Sequence, residues 1–494
     1  MITSDSQGDL MMRIKTHGWS RWIRALALLL FFLAQGCLPK PVIDERALNY
    51  PLPEQWQNLS LQGSAPVSSD WVTALRSSEL NALIQEALTK NLGLQRTYID
   101  LRMAQAVVDL IRAQGMPHVE ANVDARRGTT SMSQEGRRIR QNQKHYRGLT
   151  AMSWEMDLWG RLADQNAAAE ADLHAAQADM DAARFSLAAQ VSKVWIEMIA
   201  LNQMVQIARQ AEQSHELGAR KVRERFERGL ATALDMRLAL VDLAAAQESR
   251  LRQERELSAT ARRLQQLIGR YPDGRLTVGD VFPDLSMTIP TGLPAQILDR
   301  RPDIQAAYRR LVATDHRVAA SCKAFLPQVR LTGDVGVGGS QLMHVSDGRH
   351  VLWNLASGIV QPLFQGGRLA ASLDEAESKA SAAWIDYAQV VERALGQVEQ
   401  ALDNEERSKQ EMAALILAVK QAERARELAL QYYAAGRVDV LHVLEAQRRT
   451  YAARTALTLT HSQRLQNRIN LHLALGGDFI VALKPKDDTY AEER

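Results

Sequence analysis

The sequence is poor in cysteine, with only Cys37 and Cys322 among 494 residues. Two cysteines cannot build a disulfide framework or a zinc cluster. The net charge is also small, +3 at pH 7, which gives no support for nucleic-acid binding. The motifs include no phosphate-binding loop, catalytic constellation or metal cluster. The sequence therefore predicts neither an enzyme nor a protein that binds a cofactor or metal.

Long apolar runs are absent, and the N-terminal run Ala25–Ala34 is too short to cross a bilayer as a permanent helix. Basic residues precede this run and small residues follow it, so we predict a signal peptide over 1–36. The run ends in LAQGC, which resembles a bacterial lipoprotein signal and predicts lipidation of Cys37. Residues 37–70 would then be a lipid-anchored leader. The alternative is an ordinary signal peptide with an incidental cysteine, and the start codon is open between Met1, Met11 and Met12.

Proline is absent from a long helical pattern that occurs twice. The first copy covers 161–228 and ends at Gly229, and the second covers 368–435 and ends at Gly436, 207 residues later. Equal lengths and matching final glycines indicate an internal duplication. At ~1.5 Å per residue each copy predicts a helix roughly 100 Å long, which favours an elongated helical protein over a compact enzyme.

Each repeat, 71–290 and 291–476, places two alternating polar and apolar stretches before its long helix. Such alternation predicts strands with one apolar and one polar face. The polar stretch Gly128–Lys144 separates the first pair of strands, and 477–494 is a charged tail. The fold class is therefore mainly α with a β part, built from a duplicated helix–strand–strand–helix unit. The predicted strands cover about 118–127 and 147–158, then about 328–337 and 351–361.

Four strands are too few to form a membrane barrel alone. An open sheet edge does not occur in lipid, and the smallest membrane barrels have about eight strands. If the strands lie in a membrane, several chains must contribute to one barrel. The alternative is a soluble four-stranded sheet packed on helices.

Six stretches that lie in order over nearly the whole mature chain carry a family resemblance. They resemble the TolC-like outer-membrane factors, in the lipoprotein (NodT-type) branch that serves RND-type multidrug efflux systems. The most specific are DRRPDIQAA and PLFQGGRL. The stretches are SWEMDLWGRL at 153, ERGLATALDMRLA at 227, LPAQILDRRPDIQAA at 293, AFLPQVRLTGDVG at 324, VQPLFQGGRLAASLDEAE at 360 and YYAAGRVDVLHVLEAQ at 432.

The resemblance implies a homotrimer in the outer membrane of a Gram-negative bacterium, lipid-anchored and extending into the periplasm. Each chain would give four strands to one 12-stranded barrel above a long α-helical tunnel. The implied function is passive conduction from an inner-membrane RND-type or related transporter and a periplasmic adaptor (membrane fusion protein) to the outside. A duct for type I protein or peptide secretion and a pore-less coiled-coil lipoprotein are the alternatives. The substrate, whether drug, metal or solvent, is not encoded in any motif.

The resemblance also implies a periplasmic gate where the inner helices ring the tunnel axis. The matching positions are His442 and Glu445. Leu441 would form an apolar constriction beside them, and Asp235 in the first repeat is a further candidate. Threefold symmetry would bring copies of each side chain together at a constriction, and protonation of His442 would add repulsion. His442 departs from the carboxylate usual in the family. The alternatives are a solvated tip residue for His442, helix packing for Leu441 and a helix cap for Asp235.

Two further surfaces follow from the resemblance. The turns at Gly229, Leu230, Gly436 and Arg437 would contact the adaptor, unless they are plain helix turns. An aromatic girdle at the membrane interface is predicted for Trp154, Trp159, Trp353 and Phe364, with simple packing as the alternative for Trp159 and Phe364. Cys322, inside a helical pattern, is predicted to be a buried small side chain.

Overall fold

The structure is a computed structural model that describes residues 56–57, 72, 75–134, 137–284, 296–341 and 351–476. The predicted signal peptide, Cys37 and the charged tail lie outside the described residues. Helices dominate what is described, and none of these described helices is both long and apolar enough to cross a membrane. In chain order the elements are α1 Ser78–Lys90, α2 Leu92–Gln114, β1 His118–Gln134, β2 Arg137–Met156, α3 Arg161–Glu227, α4 Ala233–Leu267, α5 Gln296–Arg300, α6 Pro302–Lys323, β3 Gln328–Gly339, β4 Val351–Val360, α7 Arg368–Ala434 and α8 Val440–Ala474.

The described chain divides into two compact units, and both draw on both sequence repeats. One contains described residues of 103–173 and 309–385, and the other contains described residues of 56–102, 174–308 and 386–476. The predicted boundary between repeats near 290 is therefore not a boundary between compact units. The first unit holds the sheet, and the second holds the main hydrophobic clusters.

The four strands form one antiparallel sheet in the order β1-β2-β3-β4, with β1 and β4 at its edges. Directly paired residues lie on the same face of a sheet, so the register shows whether the apolar faces of neighbouring strands coincide. Met152 pairs with both Val119 and Gly333, and Gly333 pairs in turn with Leu355. From Val119 to Ala125 of β1 and across the paired residues of the other strands, one face is therefore largely apolar, because the period of two is kept in register. The opposite face carries polar partners such as Glu155 and Arg330.

The first hairpin is longer than the sequence predicts. We expect a polar loop over Gly128–Lys144, but β1 continues to Gln134 and β2 begins at Arg137, and every residue of β1 has a partner on β2. Thr129 Oγ1 donates a hydrogen bond to Asn142 Oδ1 across the strands at 2.7 Å. Polar side chains gave no apolar alternation here, yet backbone pairing and cross-strand polar contacts extend the ladder. Of the stretch 338–350 between the second pair of predicted strands, 342–350 lies outside the described residues.

Both long helices contain 67 residues. Their sequences are rich in alanine, and small side chains fill the buried face of α3, for example at Ala168, Ala188 and Ala189. Pro327 and Pro362 stand outside them, so no missing N–H interrupts the helical bonding. The predicted duplication is thus expressed as two helices of equal length.

The core of the second unit packs helices from both repeats. Ile84 of α1, Ile196 of α3, Leu264 of α4 and Leu465 of α8 belong to one cluster. A second cluster surrounds Trp56, which is 4% exposed and lies in the predicted leader. The leader thus contributes a core side chain, a contact that its proline-rich sequence does not predict.

The DRRPD stretch owes its structural role to Arg301. This side chain is buried; Nη1 donates to the carbonyl of Ala474 at 3.1 Å, and Nε and Nη2 donate to Asp303 at 3.0 and 2.7 Å. Ala474 is the last residue of α8, where carbonyls lack helical partners. Arg301 therefore caps the end of α8 and connects it to the start of α6.

A charged cluster is also buried in this unit. Glu405 of α7 is 3% exposed, and its Oε1 accepts hydrogen bonds from Arg468 Nη2 at 2.7 Å and Arg464 Nη2 at 3.2 Å, both on α8. His472, one turn beyond Arg468, is also buried. Burial, and secondarily the charge of Arg468, lower the pKa of His472 from 6.5 to about 4. These groups link α7 to α8 through charge.

Candidate functional site

The two long helices end in the same left-handed turn. Gly229 and Gly436 have φ of 71° and 69°, values that glycine adopts without a Cβ penalty. In the first turn Gly229 N–H donates to Phe226 O at 2.9 Å and Leu230 N–H donates to Arg225 O at 2.8 Å. This pair of bonds is a Schellman motif, and the Gly436 turn repeats it.

The side chains after these glycines project into solvent. Leu230 is 64% exposed, and Arg437 is also exposed. The two turns thus expose one leucine and one arginine, which gives this end of the helices both apolar and cationic surface. These are the residues that we predicted for contact with an adaptor.

Side-chain contacts between the helices connect the two turns. The guanidinium carbon of Arg225 lies 4.8 Å from the centre of the Tyr433 ring, a cation–π contact between α3 and α7. Burial is the main cause that raises the pKa of Tyr433. Behind this contact Val222, Ala239, Val440 and Leu444 form a hydrophobic cluster of residues from α3, α4 and α8. The tip is therefore a packed four-helix end.

Asp235 caps α4. Thr232 is the N-cap residue and its Oγ1 accepts from Asp235 N–H at 3.1 Å, while Asp235 Oδ2 accepts from Thr232 N–H at 2.8 Å. This reciprocal pair is a capping box, and Oδ2 also accepts from the Thr232 hydroxyl at 2.8 Å. Of the two interpretations given for Asp235, the structure shows the cap.

The other predicted gate residues share one face of α8. Leu441 is 48% exposed, His442 is exposed and Glu445 is partly exposed, whereas Val440, Val443 and Leu444 are buried. Spacings of three and four place the exposed side chains in one stripe. We call this the α8 stripe: Leu441, His442, Glu445, Arg448 and Arg449.

The carboxylate of Glu445 forms ion pairs with two arginines of the same helix. It accepts from Arg449 Nε at 2.5 Å and also pairs with Arg448, and the Arg449 hydrogen bond is the main cause that lowers its pKa. The α8 stripe therefore carries two arginines against one carboxylate, which our sequence reasoning missed. The spacing in EAQRR was the signal, since an acid followed at three and four residues by arginines predicts ion pairs on a helix.

The buried side of α8 is fastened to both long helices. Gln447 Nε2 donates to Ser214 Oγ of α3 at 2.9 Å, and Tyr451 OH donates to Gln210 O at 3.2 Å. Thr450 Oγ1 donates to Ala422 O of α7 at 3.0 Å. Movement of the α8 stripe therefore requires these polar contacts to break or to move with it.

The predicted aromatic residues divide into two kinds. Trp154 Nε1 donates to Gly115 O at 2.9 Å and Trp159 Nε1 donates to Pro327 O at 2.6 Å, so both rings have a fixed polar partner. Trp353 and Phe364 are 76% and 89% exposed. The latter two offer apolar surface at and beyond the β4 edge strand. Cys322 is buried, as predicted.

Over the part of the chain that the structure describes, no group of three His, Cys, Asp or Glu side chains is placed to hold a metal ion. The tip instead offers turns, apolar side chains and charges, which suit contact with another protein or with a moving solute.

The family model for the outer membrane efflux protein matches residues 83–270 and 293–477. The chain belongs to the outer membrane efflux protein family. Outer membrane protein OprJ of Pseudomonas aeruginosa is 29% identical over 91% of this chain and 95% of its own length. The probable outer membrane lipoprotein SilC of Salmonella typhimurium is 25% identical over 93% and 99% of the two chains.

The fold of this efflux protein is also that of solved outer-membrane channels. The crystal structure of the Campylobacter jejuni CmeC outer membrane channel superposes with a TM-score of 0.82, at 21% identity, over 87% of this chain and 93% of that one. These matches confirm the predicted fold class, the outer-membrane location and the role in efflux. An efflux protein of this family works as a trimer with a periplasmic adaptor and an inner-membrane transporter.

Proposed function

We propose that three copies of this efflux protein form a passive duct without chemistry of its own. The observation that carries this proposal is the sheet: one face is largely apolar across all four strands, while β1 and β4 each pair on one side only. Exposed edges cannot remain unpaired in lipid, so β4 of one copy pairs with β1 of the next. Three copies give twelve strands, with the apolar face toward lipid and the polar face toward water.

We propose that the α8 stripe closes the periplasmic end of this duct. In its support, Leu441 and His442 are exposed in the single chain although the residues around them are packed. Around a threefold axis such side chains meet their own copies. Glu445 offsets one of its two arginines, so each copy of the stripe carries one net positive charge, to which a proton on His442 adds; these charges repel between copies. Acidic pH therefore favours opening.

The test is single-channel recording in planar bilayers at pH 5 and pH 8. We expect wild-type conductance to be higher at pH 5, and His442→Ala to remove most of that difference. His174→Ala is the matched control, because His174 is also exposed on a helix but far along the chain from the tip. Equal conductance at both pH values in wild type and His442→Ala would refute a titrating gate.

We propose that the turns at Gly229, Leu230, Gly436 and Arg437 bind the tip of the periplasmic adaptor. The exposed Leu230 favours this role, because a large apolar side chain at a helix end gains by burial in a partner. Leu230→Asp should weaken co-purification with the adaptor, while Leu217→Asp, also exposed on α3 but away from the turn, should not. Equal loss in both variants would count against docking at the turns.

Lipid anchoring at Cys37 is part of the same proposal. It rests on the LAQGC signal and on the description of the relative SilC as a probable outer membrane lipoprotein. Mass spectrometry of the mature N-terminus should show a lipidated Cys37. An unmodified cysteine, or a mature chain that begins elsewhere, would overturn the assignment.

A further inference from the structure

The extended hairpin places two positive charges directly opposite each other. Arg127 of β1 pairs with Lys144 of β2, and both side chains are exposed. Like charges at such positions destabilise a sheet. Within the described residues neither cation forms an ion pair. Among the described residues these two facing charges are therefore uncompensated, and a bound external anion would relieve their repulsion.

These cations share the apolar face of the sheet. The pairs Val119–Met152 and Val123–Gly148 precede Ala125–Tyr146 on that face, and Arg127–Lys144 follows. From Met156 back to Tyr146 the face covers about 26 Å of membrane thickness, at ~3.4 Å per residue and a strand tilt of roughly 40°. This equals the apolar band of an outer-membrane barrel, about 25 Å. Arg127 and Lys144 thus lie about 5 Å beyond its outer edge, past an interfacial tyrosine.

Carboxylates are available on the other face but not on this one. Arg126, next to Arg127, pairs with Asp124 at 3.3 Å, and Asp124 also lies opposite Arg147. On the apolar face, the described side chains of all four strands include no aspartate or glutamate, whereas Arg140 adds a third cation toward the hairpin end. Among the described residues, the cations on the apolar face therefore have no carboxylate on their own side of the sheet.

We propose that Arg127 and Lys144 bind the phosphate groups of lipopolysaccharide, the phosphorylated glycolipid of the outer leaflet. The strand ends at His118 and Met156 connect to α2 and α3, so the ends at Gln134 and Arg137 are those opposite the helix connections. In the proposed barrel these opposite ends lie on the outer side of the membrane. Phosphate is a strong acceptor for paired guanidinium and ammonium groups at a membrane surface. The ligand anchors the barrel in the outer leaflet and relieves the repulsion between the two cations. This inference depends on the membrane placement of the sheet and is independent of the gate.

The test measures how tightly the purified trimer binds lipopolysaccharide that contains only lipid A and inner core. The same measurement is made with this glycolipid after removal of its phosphates. We expect binding to fall about fivefold for Arg127→Gln and roughly 25-fold for the Arg127→Gln/Lys144→Gln pair. Arg126→Gln removes the same charge one residue away on the opposite face and should bind within about twofold of wild type. Equal effects of Arg126→Gln and Arg127→Gln, or equal binding of the dephosphorylated glycolipid, would overturn the proposal.

A second measurement separates binding from folding. In detergent without glycolipid, Lys144→Gln should leave the thermal stability of the trimer unchanged or slightly higher, since it removes one of two facing like charges. With glycolipid, wild type should gain stability and the variant should gain much less. If Lys144→Gln lowers stability without glycolipid, Lys144 is pairing with protein and the assignment to phosphate fails.

Discussion

Replacement of Glu405 by glutamine should be among the most damaging single changes in the second unit. The carboxylate is 3% exposed and accepts hydrogen bonds from two arginines, of which Arg468 is 7% exposed. The neutral amide keeps the shape but leaves both guanidinium groups without the opposing charge. Removal of one partner from a buried ion pair costs about 3–5 kcal/mol. We therefore expect a loss of this size per chain in the free energy of unfolding.

Two variants make the result specific. Glu423→Gln removes a carboxylate from an even shorter pair with Arg454, 2.5 Å, but this pair is partly solvated and its loss should cost ~1 kcal/mol or less. The triple variant Glu405→Leu/Arg464→Met/Arg468→Met removes the whole cluster and should lie close to wild type, because apolar replacements avoid the desolvation cost.

The assay is thermal and urea unfolding of the trimer in detergent, followed by circular dichroism. Because such trimers can unfold irreversibly, unfolding rates should be compared at one temperature as well. The reasoning is refuted if Glu405→Gln costs less than ~1 kcal/mol, or if the triple variant is as unstable as the single one.

Three further predictions concern groups in the same unit. His472 stays neutral in the folded chain, so its contribution to the free energy of unfolding should be fully present above pH 6.5 and should fall by about 3 kcal/mol toward pH 4. His472→Gln should remove this pH dependence, and an acid unfolding profile that the variant leaves unchanged would contradict the prediction. Gly269→Ala should destabilise the protein by several kcal/mol, because the added Cβ would lie 2.7 Å from Lys90. Gly436→Ala is the control: the space around Gly436 is open, so only the left-handed backbone should cost ~1 kcal/mol. Equal melting temperatures of the two variants would show that the clash is absent. Arg301→Lys cannot reproduce three directed bonds, so urea unfolding should show a loss of ~2 kcal/mol, and a shift below ~0.5 would count against capping of α8.

Much of the architecture could be predicted because two regular signals dominate the sequence. Helical periodicity without proline, ended by Gly229 and Gly436, predicted two equal helices, and alternation near Val119 and Leu331 predicted strands that the structure contains. Local chemistry was also readable in principle. Thr232 and Asp235 have the spacing of a capping box, and only the alternative of a gate left the assignment open.

What could not be predicted depends on contacts between distant positions. The extension of β1 past Gly128 rests on pairing with β2, which polar residues do not signal. The contact of Arg225 with Tyr433 joins helices from different repeats. Trp56 packs in a hydrophobic cluster whose other members lie more than 200 residues later in the chain, such as Ile304 and Leu402. Each requires tertiary packing, which periodicity alone does not specify.

The central claim is that three chains form one duct that closes at the α8 stripe. It is tested most directly by His442→Cys, since Cys322 is buried, with single-channel conductance measured before and after a short bifunctional thiol reagent. Wild type treated with the same reagent is the control. The account predicts cross-links between chains and a trimer fixed at low conductance, restored when a cleavable reagent is cut. Absence of cross-links between chains, or conductance unaffected by them, would contradict it.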